Sequence, residues 1–282
     1  MRGHGADSPC RPPVTPGGLK MLPEPVIGIV GGRGAMGSWC ARFFKQNGYQ
    51  VLIHDKDTTI TLAELAEKAS VAVISVPIPV TCEVIKAVGP FLGADKLLVD
   101  ITSLKAESVK AMLAYSEAEV IGLHPLFGPD VEDIKGHNVV FCPTRGDKWL
   151  PWLKDLFTRA GAEVIETTPE RHDEIMALVQ GLNHLNTILM GLAIEKIGIE
   201  TKDLIAFSTP AFRTKLNLIR KISSQDPHLY AEIIAGNPHL PSLFERYIEH
   251  ANHLKELLEG KNSPEIVRLI QKLSLVTAGE KG

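Results

Sequence analysis

Three strand ends carry the residues that could do chemistry. His124 closes the apolar run Val120-Ile121-Gly122-Leu123 and is followed at once by Pro125-Leu126-Phe127-Gly128-Pro129. Such a loop cannot continue regular structure, so the ring is expected at the tip of a strand, held by a stiff turn. An imidazole, with an ordinary pKa of about 6.5, can accept a proton at neutral pH. Asp100-Ile101-Thr102-Ser103-Leu104-Lys105 is a second polar end, following Lys96-Leu97-Leu98-Val99. The third is Gly32-Arg33-Gly34-Ala35-Met36-Gly37, a GxGxxG directly after Val26-Ile27-Gly28-Ile29-Val30. Its first glycine is expected to permit a tight turn. The second lets backbone approach a pyrophosphate, and the third lets helix pack closely on strand.

Alone, the glycines are a weak signal. Asp55 strengthens it by closing the next strand, about 20 residues on, where a carboxylate accepts hydrogen bonds from the ribose hydroxyls of NAD. The same charge repels the extra phosphate of NADP, so NAD is the expected cofactor. His54 and Lys56 are the contrary sign, being the cations a 2′-phosphate would seek. Ser75-Val76-Pro77 ends a further strand and is expected to line the nicotinamide side.

The elements that must position these residues are legible as a pattern. From 26 to 168, short β-rich runs alternate with helix-like segments: 26–30, 51–53, 71–76, 96–99, 120–123, 139–141 and 163–165. They predict strands buried on both faces, a Rossmann-type doubly wound α/β sheet. After Thr168 the strand signal stops. Thr168-Pro169 predicts a helix start, with a helix running to about Ile197. Further helices are expected near 202–208, 210–223, 226–235, 240–259 and 263–276, with Pro210, Pro227, Pro238, Pro241 and Pro264 near their starts. Residues 169–282 are thus an all-helical second domain, and 1–25, rich in Pro, Gly and Arg, a disordered leader. Met21 is an alternative start, and the segment equally reads as a linker from a fusion.

Ile175, Met176, Leu178, Val179, Leu182, Leu185, Ile188, Leu189, Met190 and Leu192 put apolar side chains nearly all round the long helix. A domain of that size offers it little cover, so a homodimer is expected. Gln180, His184 and Thr187, at i, i+4 and i+7, form one polar stripe that a pocket between the domains would satisfy. His172 and Asp173 read as an exposed first turn.

Composition excludes other classes. With 282 residues, 44% hydrophobic and 22% charged, two folded domains are affordable. A net charge of -3 gives no reason to expect nucleic acid, and no uninterrupted apolar run reaches the roughly 18 residues that cross a bilayer. Cys10, Cys40, Cys82 and Cys142 lie far apart. Three sit in apolar segments and are expected as buried thiols in a cytoplasmic protein, with no metal site.

Gly31-Gly32-Arg33-Gly34-Ala35-Met36-Gly37, Ser75-Val76-Pro77-Ile78, Asp100 to Lys105 and above all His124-Pro125-Leu126-Phe127-Gly128-Pro129 resemble the prephenate dehydrogenase family. Gln180-Gly181-Leu182-Asn183-His184, Ser208-Thr209-Pro210-Ala211-Phe212-Arg213, Asp226-Pro227 and Tyr230 continue the resemblance. It is nearest to the dehydrogenase part of the bifunctional chorismate mutase–prephenate dehydrogenases; the mutase helix has no counterpart, so that activity is not expected. The resemblance implies NAD-dependent oxidative decarboxylation of prephenate to 4-hydroxyphenylpyruvate, on the route to tyrosine. It implies that His124 accepts the proton of the ring 4-hydroxyl and that Ser103 orients that hydroxyl. It places Arg213 on a substrate carboxylate, His184 on the substrate's far side, and Lys105 near the cofactor. Gln180 is expected beside His184 in the substrate pocket. A guanidinium suits a dianionic substrate because it pairs bidentately with carboxylate. Arogenate, with an ammonium in place of the ketone, is the alternative substrate. Neutral Gln180 argues for prephenate. A dinucleotide sensor without catalysis would have no reason to assemble Ser103, His124 and Arg213.

Overall fold

The computed structural model describes residues 24–274. Nearly all of the expected leader, with Cys10 and Met21, lies outside the described residues.

The first half is a sheet clothed on both faces. Its strands are β1 (Ile27–Val30), β2 (Val51–His54), β3 (Val71–Ile74), β4 (Leu97–Asp100), β5 (Glu119–Pro125), β6 (Asn138–Arg145) and β7 (Glu163–Glu166). Between them run α1 (Ala35–Gln46), α2 (Leu62–Lys68), α3 (Ile78–Val88), α4 (Ala106–Tyr115) and α5 (Leu150–Arg159). The order across the seven-stranded sheet is β2-β1-β3-β4-β5-β6-β7. Every residue of β1, β3 and β4 is buried, which is why these strands read as unbroken apolar runs. On one face Trp39, Phe43, Phe44, Leu153 and Phe157 pack from α1 and α5. On the other, Leu65, Ile85, Val88, Val109 and Met112 pack from α2, α3 and α4. The doubly wound expectation holds. The strand order reverses between β1 and β3, so the carboxyl ends of β1 to β5 open a crevice there.

The sheet is not wholly parallel. β6 runs antiparallel to β5, with His124 opposite Val140. A parallel return needs a crossover helix, and the connection 126–137 holds none among its residues. Instead α1 pins it: Trp39 Nε1 donates to Val131 O at 2.8 Å, and Phe127 stands edge-on to Trp39 with centroids 5.0 Å apart.

The helical half comprises α6 (Pro169–Met176), a π-helical turn (Ala177–Leu182), α7 (Asn183–Ile197), α8 (Thr201–Ala206), α9 (Pro210–Ser224), α10 (Pro227–Gly236), α11 (Leu240–Glu259) and α12 (Ser263–Lys272). Thr168 caps α6 as expected, accepting from Arg171 N at 3.2 Å. No residue of α7, α8, α9 or α12 is buried in the single chain. Leu178, Leu192, Ile197 and Phe207 are more than half exposed. The continuous helical segment Pro169–Ile197 is, by length and composition, long and apolar enough to cross a membrane, although no uninterrupted apolar run marks it in the sequence. Gln180, Asn183, His184 and Asn186 interrupt its apolar surface, and its first part, α6, docks on α4. A further departure concerns the thiols: Cys40 and Cys142 are buried, but Cys82 on α3 is exposed.

Trp39 joins α1 to the loop beyond His124 and is 3% exposed. Trp39→Ala should cost roughly 3–5 kcal/mol of unfolding free energy, read from urea titration. A cost below about 1 kcal/mol would show that the loop is not anchored there.

Candidate active site

The crevice begins at the glycines. The tight turn falls on Gly31, whose φ is +80°; a Cβ there would lie 2.2 Å from Ser75 O. This corrects the assignment of the turn to Gly32, whose own lack of a side chain makes room for Ile53, 2.6 Å from where a Cβ would sit. Gly37 allows the close packing, since its Cβ would meet Gly31 O at 2.1 Å. Around Gly34 the space is open apart from Gly31 O at 3.3 Å. Gly34 is also the N-cap of α1, with no side-chain cap, so the first amides at Ala35 and Met36 are available to an anion. This is a cradle that fits a dinucleotide pyrophosphate.

Asp55 follows β2 at the same edge. Its Oδ2 accepts from Arg33 N at 2.9 Å and its Oδ1 from Lys56 N at 2.8 Å. Desolvation acts to raise its pKa, but these two bonds and the charges of Arg33 and His54 together hold the carboxyl below its ordinary value. His54 Nδ1 lies 2.7 Å from Ile60 O, which occupies that ring nitrogen. Ser75, Val76 and Pro77 flank Gly31 at the end of β3, with Ser75 N donating to Val30 O at 2.8 Å.

His124 belongs to β5 itself and is 3% exposed. Its Nδ1 is 2.8 Å from His172 Nε2, and His172 Nδ1 is 2.7 Å from Asp173 Oδ1. The Asp173 carboxylate also accepts from Lys105 N at 2.8 Å and Ala106 N at 2.9 Å, the first amides of α4. Desolvation works against this anion, yet the His172 bond and the two amides leave its pKa lowered. Asn237 Nδ2 donates to Asp173 O at 2.8 Å, tying the end of α10 to α6. The expectation of an exposed first turn is therefore overturned: His172 is 1% and Asp173 2% exposed, because that turn faces the sheet half. The signal was an adjacent His-Asp pair opening the first helix after the last strand.

On its other nitrogen His124 meets the π-helical turn, with Gln180 Nε2 3.5 Å from His124 Nε2 and Gln180 Oε1 without a partner. Burial first, then the charges of His172 and Lys105, hold the His124 pKa well below its ordinary value. His124 is a neutral imidazole at neutral pH. Ser103 is half-buried at the end of β4.

Lys105 does not face the crevice. It is fully buried, its ammonium paired with Asp100 and donating to Leu123 O at 2.9 Å. The expected contact with cofactor gives way to a buried ion pair beneath the ends of β4 and β5. His184 lies further along α7, edge-on to Tyr230 with centroids 4.9 Å apart. Burial and the nearby Lys221 lower its pKa. Arg213 is exposed on α9, its guanidinium 3.4 Å from Ile205 O. Gln180 and His124 are thus brought together, while His184 and Arg213 make no bond to them. Thr187 bonds its own helix, at Asn183 O.

A doubly wound domain with this cradle, followed by helices, is the plan of a dinucleotide-binding oxidoreductase. Residues 42–166 match the family domain described as prephenate dehydrogenase, nucleotide-binding domain, and residues 168–272 the prephenate dehydrogenase, dimerization domain. The chain belongs to the prephenate dehydrogenase family. It is 31% identical over 265 residues to the probable arogenate/prephenate dehydrogenase of Methanocaldococcus jannaschii, covering 87% of this chain and 59% of that one. It is 36% identical over 245 residues to the T-protein of Enterobacter agglomerans, covering 86% and 65%. The chain therefore spans less than two thirds of the length of these relatives. In fold it resembles prephenate dehydrogenase from Aquifex aeolicus in complex with hydroxyphenyl propionate and NAD+, with a TM-score of 0.72 at 22% identity, covering 92% of this chain and 99% of that one.

Because the folded-state pKa of Asp173 is depressed, its ionisation stabilises the fold above the unfolded value of about 3.9, and that contribution is lost as pH falls through the folded value. Asp173→Asn should be less stable than the parent at neutral pH, and the two should converge as the solution is acidified. Urea unfolding over a pH series measures this; a gap that does not narrow on acidification rejects it.

Proposed function

We propose that the chain is an NAD-dependent prephenate dehydrogenase acting as a homodimer. The observation that carries the reading is His124, a buried neutral imidazole at the carboxyl edge of β5, engaged at Nδ1 and with Nε2 beside Gln180. Gly31, Gly32, Gly34 and Gly37, with the amides of Ala35 and Met36, would hold the pyrophosphate, Asp55 the ribose hydroxyls, and Ser75, Val76 and Pro77 the nicotinamide side. When bound, NAD supplies the acceptor for the C4 hydrogen of the substrate and its electron pair.

The protein's own part is to orient the ring and move one proton. His124 Nε2 takes the proton of the 4-hydroxyl as the carbon–hydrogen bond breaks, a step for which a neutral imidazole is suited. Ser103, half-buried on the neighbouring strand end, orients the hydroxyl. Gln180 Oε1 is a buried acceptor without a partner, which a substrate donor satisfies. Departure of the ring carboxylate as carbon dioxide leaves its bonding pair to the aromatic ring, so that step needs no further protein acid. Arg213 has most of its guanidinium open to a substrate carboxylate, and His184 closes the far side. The unburied faces of α7, α8, α9 and α12 support the homodimer.

Arogenate is the second reading, favoured by the name of the Methanocaldococcus jannaschii relative. Initial rates of reduced-cofactor formation from prephenate and from arogenate, each with NAD and NADP, separate the readings. His124→Asn should keep NAD affinity and lose roughly two decades or more of kcat. Arg213→Gln should raise the prephenate KM about tenfold. Full turnover in His124→Asn, or a preference for arogenate or NADP, overturns the corresponding assignment. Light scattering at micromolar protein should give twice the chain mass; an active monomer rejects the homodimer.

A further inference from the structure

His172 and Asp173 are absorbed by neither cofactor nor substrate, yet both are sealed in the interior behind the base. A buried His-Asp pair has a cost unless its hydrogen bonds are complete. With His172 uncharged, they are complete in one arrangement of protons only. The Asp173 carboxylate already accepts two backbone N–H groups, so as an anion it can only accept from His172 Nδ1. A neutral His172 that donates from Nδ1 has a lone pair at Nε2. That lone pair, 2.8 Å from His124 Nδ1, must receive the His124 Nδ1 proton. The lone pair of His124 is then left on Nε2, where Gln180 Nε2 lies 3.5 Å away as a donor.

We infer that His172 and Asp173 are positioning residues that fix the tautomer of His124, keeping its Nε2 unprotonated beside Gln180 and sharing the positive charge when Nε2 takes a proton. In water the imidazole ring would distribute its proton between the two nitrogens, and each molecule protonated at Nε2 would be useless as a base there. The chain Asp173–His172–His124 removes that loss. His172 and Asp173 sit at the start of α6 and His124 in β5, so the helical half sets the state of a base held by the sheet half. The catalytic consequence rests on the proposed role of His124 as proton acceptor; the tautomer itself does not.

The experiment pairs nitrogen NMR with kinetics on the full chain. In the parent protein at neutral pH, the 15N shifts of His124 should show a protonated Nδ1 and an unprotonated Nε2; the reverse overturns the proposal whatever the substrate is. His172→Gln keeps an acceptor facing Nδ1 and should retain the tautomer. His172→Leu removes it and should move the proton toward Nε2. With prephenate and NAD, His172→Leu should lose on the order of tenfold or more in kcat with KM little changed, and His172→Gln should recover most of that loss. Equal losses in the two variants, or an unmoved tautomer in a folded His172→Leu, would reduce the pair to a packing role. If the parent fails to oxidise prephenate while the tautomers behave as stated, the proposed activity falls and this assignment stands.

Discussion

The Asp173 carboxylate is the knot on which the two halves depend. It takes the first two amides of α4 and the ring of His172, while its own backbone carbonyl receives Asn237 from the end of α10. An isolated carboxylate in this interior would be protonated rather than ionised. Three donors reverse that preference, and together with the Asn237 bond to the carbonyl they fix α4, α6 and α10 against one another. α4 begins where it does because its unsatisfied first amides have a buried anion to meet.

Beside this knot lies a second buried pair, Lys105 with Asp100. Buried ion pairs contribute little net stability unless further hydrogen bonds complete them. Leu123 O and the Thr102 hydroxyl, 2.6 Å from Asp100 Oδ2, supply part of that set, while Asp100 Oδ1 is buried without a partner. The result is directional more than stabilising. The Lys105 ammonium is held under the residue preceding His124, and its charge adds to desolvation in keeping the imidazole neutral. Family resemblance assigned Lys105 to the cofactor; the fold uses it from below, through the field it exerts.

The strands were legible because burial on both faces demands apolar, β-branched residues at every position, as in Val71-Ala72-Val73-Ile74. The Thr168-Pro169 cap and Pro210 marked helix starts for local reasons that tertiary contacts do not override. The direction of β6 was hidden, since an apolar run carries no sign of which way it pairs. Gly31 was passed over because the fingerprint begins one residue later, although the positive φ belongs to it. The importance of His172 and Asp173 could not be read from local pattern: a polar first turn looks solvent-exposed unless the surface it docks on is known. Lys105 misled for a related reason, because a long cation near a site reads as a ligand until its own carboxylate is located.

The π-helical turn from Ala177 to Leu182 separates two segments of ordinary α-helix. Each residue of an α-helix advances about 100° around the axis, and in the wider turn each advances by less. Gln180 is thereby aimed at His124 while His184 faces Tyr230, and Gly181 lets Leu240 of α11 close on the helix at the bend. Loss of one residue within this turn would restore regular winding with little net rotation of α7, because the rotation removed with the residue is regained by the tighter winding. The extra residue of the π-helical turn is thus taken up locally, where it carries Gln180 to His124, and the winding of α7 beyond it is regular.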